Sequence, residues 1–196
     1  MTDTRPLTPD SHPAVLAAIT ASCTALGFEM SCDLTTGQLL RSLAAARPGG
    51  RILELGTGAG VGAAWLLSGM TPDATLLTVE QDPALVAVAT SHLGADPRIE
   101  LVQDDGAALL DRLAGRRFDL IFADTWPGKF THLEQALALL APGATYLVDD
   151  LLPQPAWPAD HAPKAAALTT HLLAHPDLHA TYLDCSTGLL LATRRA

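Results

Sequence analysis

Seven short runs rich in β-branched and large apolar residues punctuate the chain: RILEL (51–55), TLLTVE (75–80), RIELV (98–102), FDLIFAD (118–124), ATYLVD (144–149), LHATYLDC (178–185) and GLLLATR (188–194). Their length, and the Gly, Pro, Asp and Ser residues that bound them, predict buried strands. Segments with helical spacing fall between them at 60–69, 83–93, 106–114, 131–140 and 162–174. Pro83 and Pro163 stand in first turns, where a missing N–H does no harm. Alternating strand and helix is the pattern of a parallel sheet covered by helices on both faces. The last two runs are joined only by an STG turn, too short for a helical crossover, so they must pair as an antiparallel hairpin. The expected fold class is therefore α/β, a Rossmann-like, seven-stranded, mostly parallel sheet with a C-terminal antiparallel hairpin. Two earlier helical segments, 12–26 and 34–46, predict an N-terminal helical cap over 1–48, ahead of an α/β core over 49–196 in the same single domain.

Composition narrows this picture. The 196 residues are 48% hydrophobic and 17% charged, and the apolar runs break well short of the roughly 18 residues that cross a membrane. The segment MTDTRPLTPDSHP has no basic stretch followed by an apolar one, so a cytoplasmic location is the expectation. Cys23, Cys32 and Cys185 form no C-x-x-C pair and read as reduced thiols. A net charge of −9 argues against a nucleic-acid partner, because phosphate backbones are held by clustered Lys and Arg.

Candidate chemistry begins after the first strand, in ELGTGAGVGAAWL, where Gly56, Gly58 and Gly60 occupy a strand-to-helix turn. Glycines there let backbone amides approach a ligand closely. The spacing fits neither the dinucleotide fingerprint nor the P-loop. Glu80, ending the second strand, is placed to accept hydrogen bonds from both ribose hydroxyls of a nucleoside.

The stretch LELGTGAG, with Glu80 and then QDDGAALL, resembles the class I S-adenosylmethionine-dependent methyltransferases. That resemblance implies S-adenosylmethionine as cofactor, with Gly56, Gly58 and Gly60, and Thr57 between them, bordering its methionine part. It implies Glu80 on the ribose with Gln81 beside it, Asp105 and Gly106 at the adenine, and Glu54 near the amino group. Asp124, at the end of the fourth strand, also falls beside the cofactor.

The run ATYLVDDLLPQ raises a separate question, since Asp149 and Asp150 emerge together from a buried strand at the same carboxyl edge as Asp124. Like charges so crowded need protons, water or a cation, and hard oxygen donors suit Mg²⁺ or Ca²⁺. ADTW followed by LVDD is similar to the metal-dependent catechol and caffeoyl-CoA O-methyltransferases, which implies Asp124, Asp149 and Asp150 as metal ligands. MSCDLTTGQ (30–38) resembles the segment covering the reacting methyl group in the catechol enzymes, with Gly37-Gln38 matching their Gly-Gln. Two positions depart from that family: Asp150 replaces Asn, and Pro127 falls where the catalytic lysine is expected. Lys129, two residues on, either folds back from a Pro-Gly turn to join Asp124 in catalysis or points to solvent. Otherwise His132 or His161 serves as base, or none is needed. Trp126 and Trp157 are candidate walls for a planar acceptor.

Three functions follow: metal-assisted O-methylation of a small molecule, metal-independent methylation of another small acceptor, or cofactor binding without catalysis. A homodimer is compatible with each.

Overall fold

The computed structural model describes residues 12–153, 158 and 160–196. Two helices, α1 (Leu16–Leu26) and α2 (Leu34–Ala45), precede the sheet. There follow β1 (Arg51–Leu55), α3 (Val61–Gly69), β2 (Thr75–Glu80), α4 (Pro83–Leu93), β3 (Ile99–Gln103), α5 (Gly106–Arg112), β4 (Phe118–Ala123), α6 (Leu133–Ala138) and β5 (Leu140–Val148). The chain then forms α7 (His161–Ala174), β6 (Leu178–Leu183) and β7 (Leu189–Arg194).

The strands make one seven-stranded sheet in the order β3-β2-β1-β4-β5-β7-β6. All pairs from β3 to β5 are parallel, while β7 runs antiparallel to both β5 and β6. This is the expected architecture, with the terminal hairpin at the far side of the sheet. The strand order reverses between β1 and β4, which is where open α/β sheets form their ligand crevice.

One apolar layer lies on each face. On one side Leu53, Phe118, Ile121 and Tyr146 pack with α5, α6 and α7; on the other Ile52, Leu76, Leu120 and Phe122 meet α1 to α4. Buried strands that are apolar on both sides produce the unbroken hydrophobic runs read in the sequence. Helix starts are set by side chains: Asp33 caps α2 through the Thr36 amide, Asp82 caps α4 ahead of Pro83, and Asp105 caps α5 through the amides of Ala107 and Ala108.

The differences from expectation are local. The first cap helix begins at Leu16, four residues later than its apolar spacing suggests, and α6 is cut to six residues. Strand β5 starts early, at Leu140, because Leu140 pairs with Phe118 before the register shifts and Thr145 pairs with Leu120. Helices α2 and α3 approach so closely that a Cβ on Gly37 would lie 2.2 Å from the Trp65 indole nitrogen, and one on Gly69 2.1 Å from the Arg41 carbonyl. Gly37 thus has a packing reason: it admits the fully buried Trp65 against the α2 backbone.

Candidate active site

The parallel register brings four chain segments to one level at the carboxyl edge. Leu55 pairs with Val79 and Ala123, and Ala123 pairs with Val148, so Gly56, Glu80, Asp124 and Asp149 emerge side by side. The amides of Gly56 and Thr57 both donate to the Val79 carbonyl, folding the glycine turn over β2. Gly56, Gly58 and Gly60 all have positive φ, 97°, 53° and 101°, which other residues adopt only with strain. Glu80 organises this turn: one oxygen accepts from the Gly58 amide at 3.0 Å, the other from the amides of Gln81 and Asp82.

Beneath the turn Glu54 is completely buried. Thr78 donates to its Oε2 at 2.6 Å, and Thr57 in turn donates to Thr78. Its Oε1 has no hydrogen-bond partner among the described residues. Burial pushes the Glu54 carboxyl up to about 8, opposed by the Thr78 hydrogen bond and helped by the charge of Glu80. A buried acid with one unsatisfied oxygen is complementary to a cationic group delivered from the crevice.

Across the crevice, Asp105 spends one oxygen on capping α5, and Gly106 is the first residue of that helix. A Cβ on Gly106 would lie 3.2 Å from Pro127, so the β3–α5 and β4–α6 loops are packed together there. The second loop, Asp124 to His132, is wound tightly around the Trp126 carbonyl, which accepts from the amides of Lys129, Phe130 and Thr131. Gly128 sits at φ 91° under Leu55, and the buried Tyr146 hydroxyl donates to its carbonyl. A side chain there would be strained by that φ and crowd Leu55, and the next residue, Lys129, is buried.

Lys129 is 4% exposed. Its ammonium lies 3.7 Å from Asp124 Oδ1, 3.7 Å from Asp150 Oδ2 and 3.2 Å from the Asp149 carbonyl oxygen, to which it donates. Asp149 is tied down separately, its Oδ1 accepting from the Asp150 amide and the Thr187 hydroxyl. Burial raises Asp124 well above the usual carboxylate range, countered first by Lys129 and reinforced by Asp149 and Asp150. Burial likewise carries Asp149 up to about 6. The three aspartates share one edge, but their oxygens do not gather within 4.8 Å of one another; among the described residues the set that does so lies elsewhere. An ammonium stands between two of them. As placed, these residues do not fit a shared divalent ion, although their oxygen chemistry is of the right type.

The aromatic candidates form a wall beside this cluster. Trp126 is 46% exposed and meets Phe130 edge-on, Phe130 meets His161 in the same way, and Lys164 lies over the Trp126 ring at 4.1 Å. Burial and the nearby Lys129 lower His161, which favours its neutral form. His132 occupies a left-handed position at the start of α6. Trp157 lies outside the described residues. A cavity of about 410 Å³ opens between α1, α3 and residues 28–34, with Phe28, Cys32, Leu34 and Trp65 in its lining. Burial and the neighbouring Asp124 and Asp149 raise the Cys32 thiol, so it is not a thiolate nucleophile.

Two contributors could not be found by sequence spacing. Thr78 reaches Glu54 from an adjacent strand, and Thr187 reaches Asp149 from the terminal hairpin.

Comparison with known proteins agrees with this geometry. Residues 53–151, 99 of the 196, match the methyltransferase domain family model. A catechol O-methyltransferase of Mycobacterium tuberculosis is 33% identical over 144 residues, which cover 71% of this chain and 66% of that protein. A relative from Mycolicibacterium vanbaalenii is 34% identical over 143 residues, 70% of this chain and 63% of its own. The chain thus matches less than two thirds of the length of these curated relatives. Among solved structures, the O-methyltransferase TomG from Streptomyces achromogenes, in complex with SAM, superposes with a TM-score of 0.81 at 25% identity, covering 93% of this chain and 90% of that one. A cofactor-bound protein from MTB gives 0.80 at 28% identity, over 92% and 89%. On the match of its central half to that model, the chain belongs to the methyltransferase domain family, and a catechol O-methyltransferase is among its relatives.

Proposed function

We propose that the chain transfers the methyl group of S-adenosylmethionine to an oxygen of a small molecule, and that the cation serving this reaction is Lys129. The observation that carries this reading is the buried ammonium of Lys129 set between Asp124 and Asp150 at the carboxyl edge, beside the glycine turn. The unpartnered buried Oε1 of Glu54 fits the cofactor's amino group, and the Gly56–Gly60 turn and Glu80 fit its methionine and ribose parts. Gln81, Asp105 and Gly106 complete the wall for the adenosine. When bound, the cofactor supplies an electrophilic methyl group on a sulfonium.

The remaining work falls to the chain's own groups. An acceptor hydroxyl placed near Lys129 becomes more acidic beside the ammonium, which then holds the resulting oxygen anion. Asp124, 3.7 Å from the Lys129 ammonium at the same edge, is placed to take that proton. Trp126 and Phe130 offer apolar surface for a planar acceptor and keep water from the reacting oxygen. A net charge of −9 and an edge rich in carboxylates suit a cationic donor and an uncharged small acceptor better than a polyanion.

The test is turnover of S-adenosylmethionine against a panel of hydroxylated aromatics, with and without chelator. Wild type is expected to keep its rate in excess EDTA, and Lys129→Met to lose about 10²- to 10⁴-fold, the usual range for a proton-handling or oxyanion-holding group. Activity that vanishes in EDTA and returns with Mg²⁺ refutes the lysine reading and restores the aspartates as metal ligands.

A further inference from the structure

The geometry points to a transition-metal site that fastens α6 to α7, built from Glu134, His171 and His175 and separate from the methyl-transfer site. His171 lies in the last turn of α7 and His175 is the residue that ends it, so the two imidazoles stand four apart on one side of the helix. Glu134, in the first turn of α6, reaches across with both oxygens. Its Oε1 is 3.0 Å from His171 Nε2 and its Oε2 is 3.7 Å from His175 Nε2. One ligand atom from each residue falls within 4.8 Å of the others, and the two rings sit 5.6 Å apart in a T arrangement.

A metal held at about 2.0–2.2 Å by three such atoms places its ligands about 3.4 Å apart in tetrahedral geometry. The separations of 3.0 Å from Oε1 and 3.7 Å from Oε2 lie on either side of that value, and with a single oxygen taken from Glu134 the three donor atoms all lie within 4.8 Å of one another. Side-chain rotation closes the remaining distance, and both Glu134 and His171 are more than half exposed, so they have room to make it. That same exposure leaves a fourth position for water.

The donor set decides the metal. Two neutral imidazoles and one carboxylate suit Zn²⁺, Co²⁺, Ni²⁺ or Cu²⁺, whereas Mg²⁺ and Ca²⁺ require more oxygen donors than this site offers. The role is structural: His171 lies ten residue steps along α7 from His161, about 15 Å along the helix, so an ion here cannot reach an acceptor at Lys129. It would instead clamp a six-residue helix that has no side-chain cap to one of fourteen residues.

One contact must change on binding, and it supplies a diagnostic. His175 Nδ1 now accepts from the Asp177 amide at 3.2 Å. A metal on Nε2 requires the proton on Nδ1, so that amide loses its acceptor and its NMR resonance shifts.

The experiment is a calorimetric and thermal-unfolding titration of the full chain with ZnCl2 and with MgCl2, repeated on His171→Ala, Glu134→Gln and Asp149→Asn. One equivalent of Zn²⁺ is expected to bind and, at a hundredfold excess over Kd, to raise Tm by about 5–10 °C. Mg²⁺ should leave Tm unmoved. His171→Ala and Glu134→Gln should weaken Zn²⁺ at least tenfold, Asp149→Asn should not, and the Asp177 amide should shift with Zn²⁺ in wild type only. Absence of Zn²⁺ binding, or binding that survives His171→Ala and disappears in Asp149→Asn, overturns the proposal.

Discussion

Replacing Glu54 by Gln should make the protein more stable at alkaline pH and no more stable at acid pH. The carboxyl is buried, with a pKa near 8 in the fold against 4.5 in an exposed chain. The unfolded state therefore releases its proton first, and this residue's contribution to stability falls as pH climbs through 4.5, levelling off only above about 8. The full penalty is about 5 kcal/mol, of which about 1 kcal/mol is felt at pH 5 and nearly all at pH 9. Gln does not titrate, but its amide nitrogen takes the place of the unpartnered Oε1, a pH-independent cost of about 1–3 kcal/mol. The stability difference between variant and wild type should thus swing by about 4 kcal/mol from pH 5 to pH 9, with Gln the more stable protein at the upper end. Groups that do not feel the Glu54 charge, Asp149 among them, act in both proteins and cancel in the difference, whereas Asp124 and Cys32, each raised in part by that charge, add a smaller contribution of their own. Urea unfolding at five pH values measures it directly. A difference that stays flat within about 1 kcal/mol refutes the assignment of Glu54 as a buried, protonated acid. The same group couples to the cofactor reading: a cationic amino group at Oε1 favours the carboxylate, so binding at pH 7 should expel nearly one proton in wild type and none in Glu54→Gln. Calorimetry in two buffers of different ionisation enthalpy reads that number.

Two more outcomes follow from the packing around the crevice. Gly37→Ala drives a methyl group into the Trp65 indole, which cannot retreat, and should cost about 1–3 kcal/mol in spite of alanine's better helix propensity, seen as a fall in thermal midpoint. Glu80→Ala removes the acceptor of three loop amides and the proposed ribose contact, and should weaken S-adenosylhomocysteine roughly ten- to hundredfold in an isothermal titration; unchanged affinity would remove Glu80 from the cofactor site.

How far the sequence could be read depended on whether a feature was local. Strands β1 and β2 and helix α4 begin and end where their apolar runs and turn residues say, because burial on both faces and a capping Asp82-Pro83 leave no competing choice. Helix α6 is shorter than its helical spacing predicts, since that spacing continues into residues that instead wind the loop around Trp126 and start β5. Lys129 shows where local reading stops: the PGK turn permits both an inward and an outward lysine, and the decision is made by Tyr146 and Leu55, which hold Gly128 from two other strands. Gly37 was matched to a methyl-covering segment, and its close approach to Trp65 was invisible without the partner helix. His171 and His175 had no visible context, because their third partner lies 37 residues upstream of His171 on another helix.

The turn between β6 and β7 gives the molecule an assembly order. Because β7 runs backwards, this turn lies at the carboxyl edge, where Thr187 holds Asp149, Ser186 bonds to Thr36 at 2.7 Å, and the carbonyls of Thr187 and Gly188 receive the amides of Leu152 and Leu151. Residues 150 apart in the chain thus meet across the crevice. Strands β1 to β5 and helices α1 to α7 all precede residue 186 in the chain, so the second side-chain contact to Asp149 and the brace on α2 come from its last segment. Completion of the crevice therefore depends on the last hairpin, and a chain cut upstream of Ser186 lacks both the Thr187 contact to Asp149 and the Ser186 contact to Thr36.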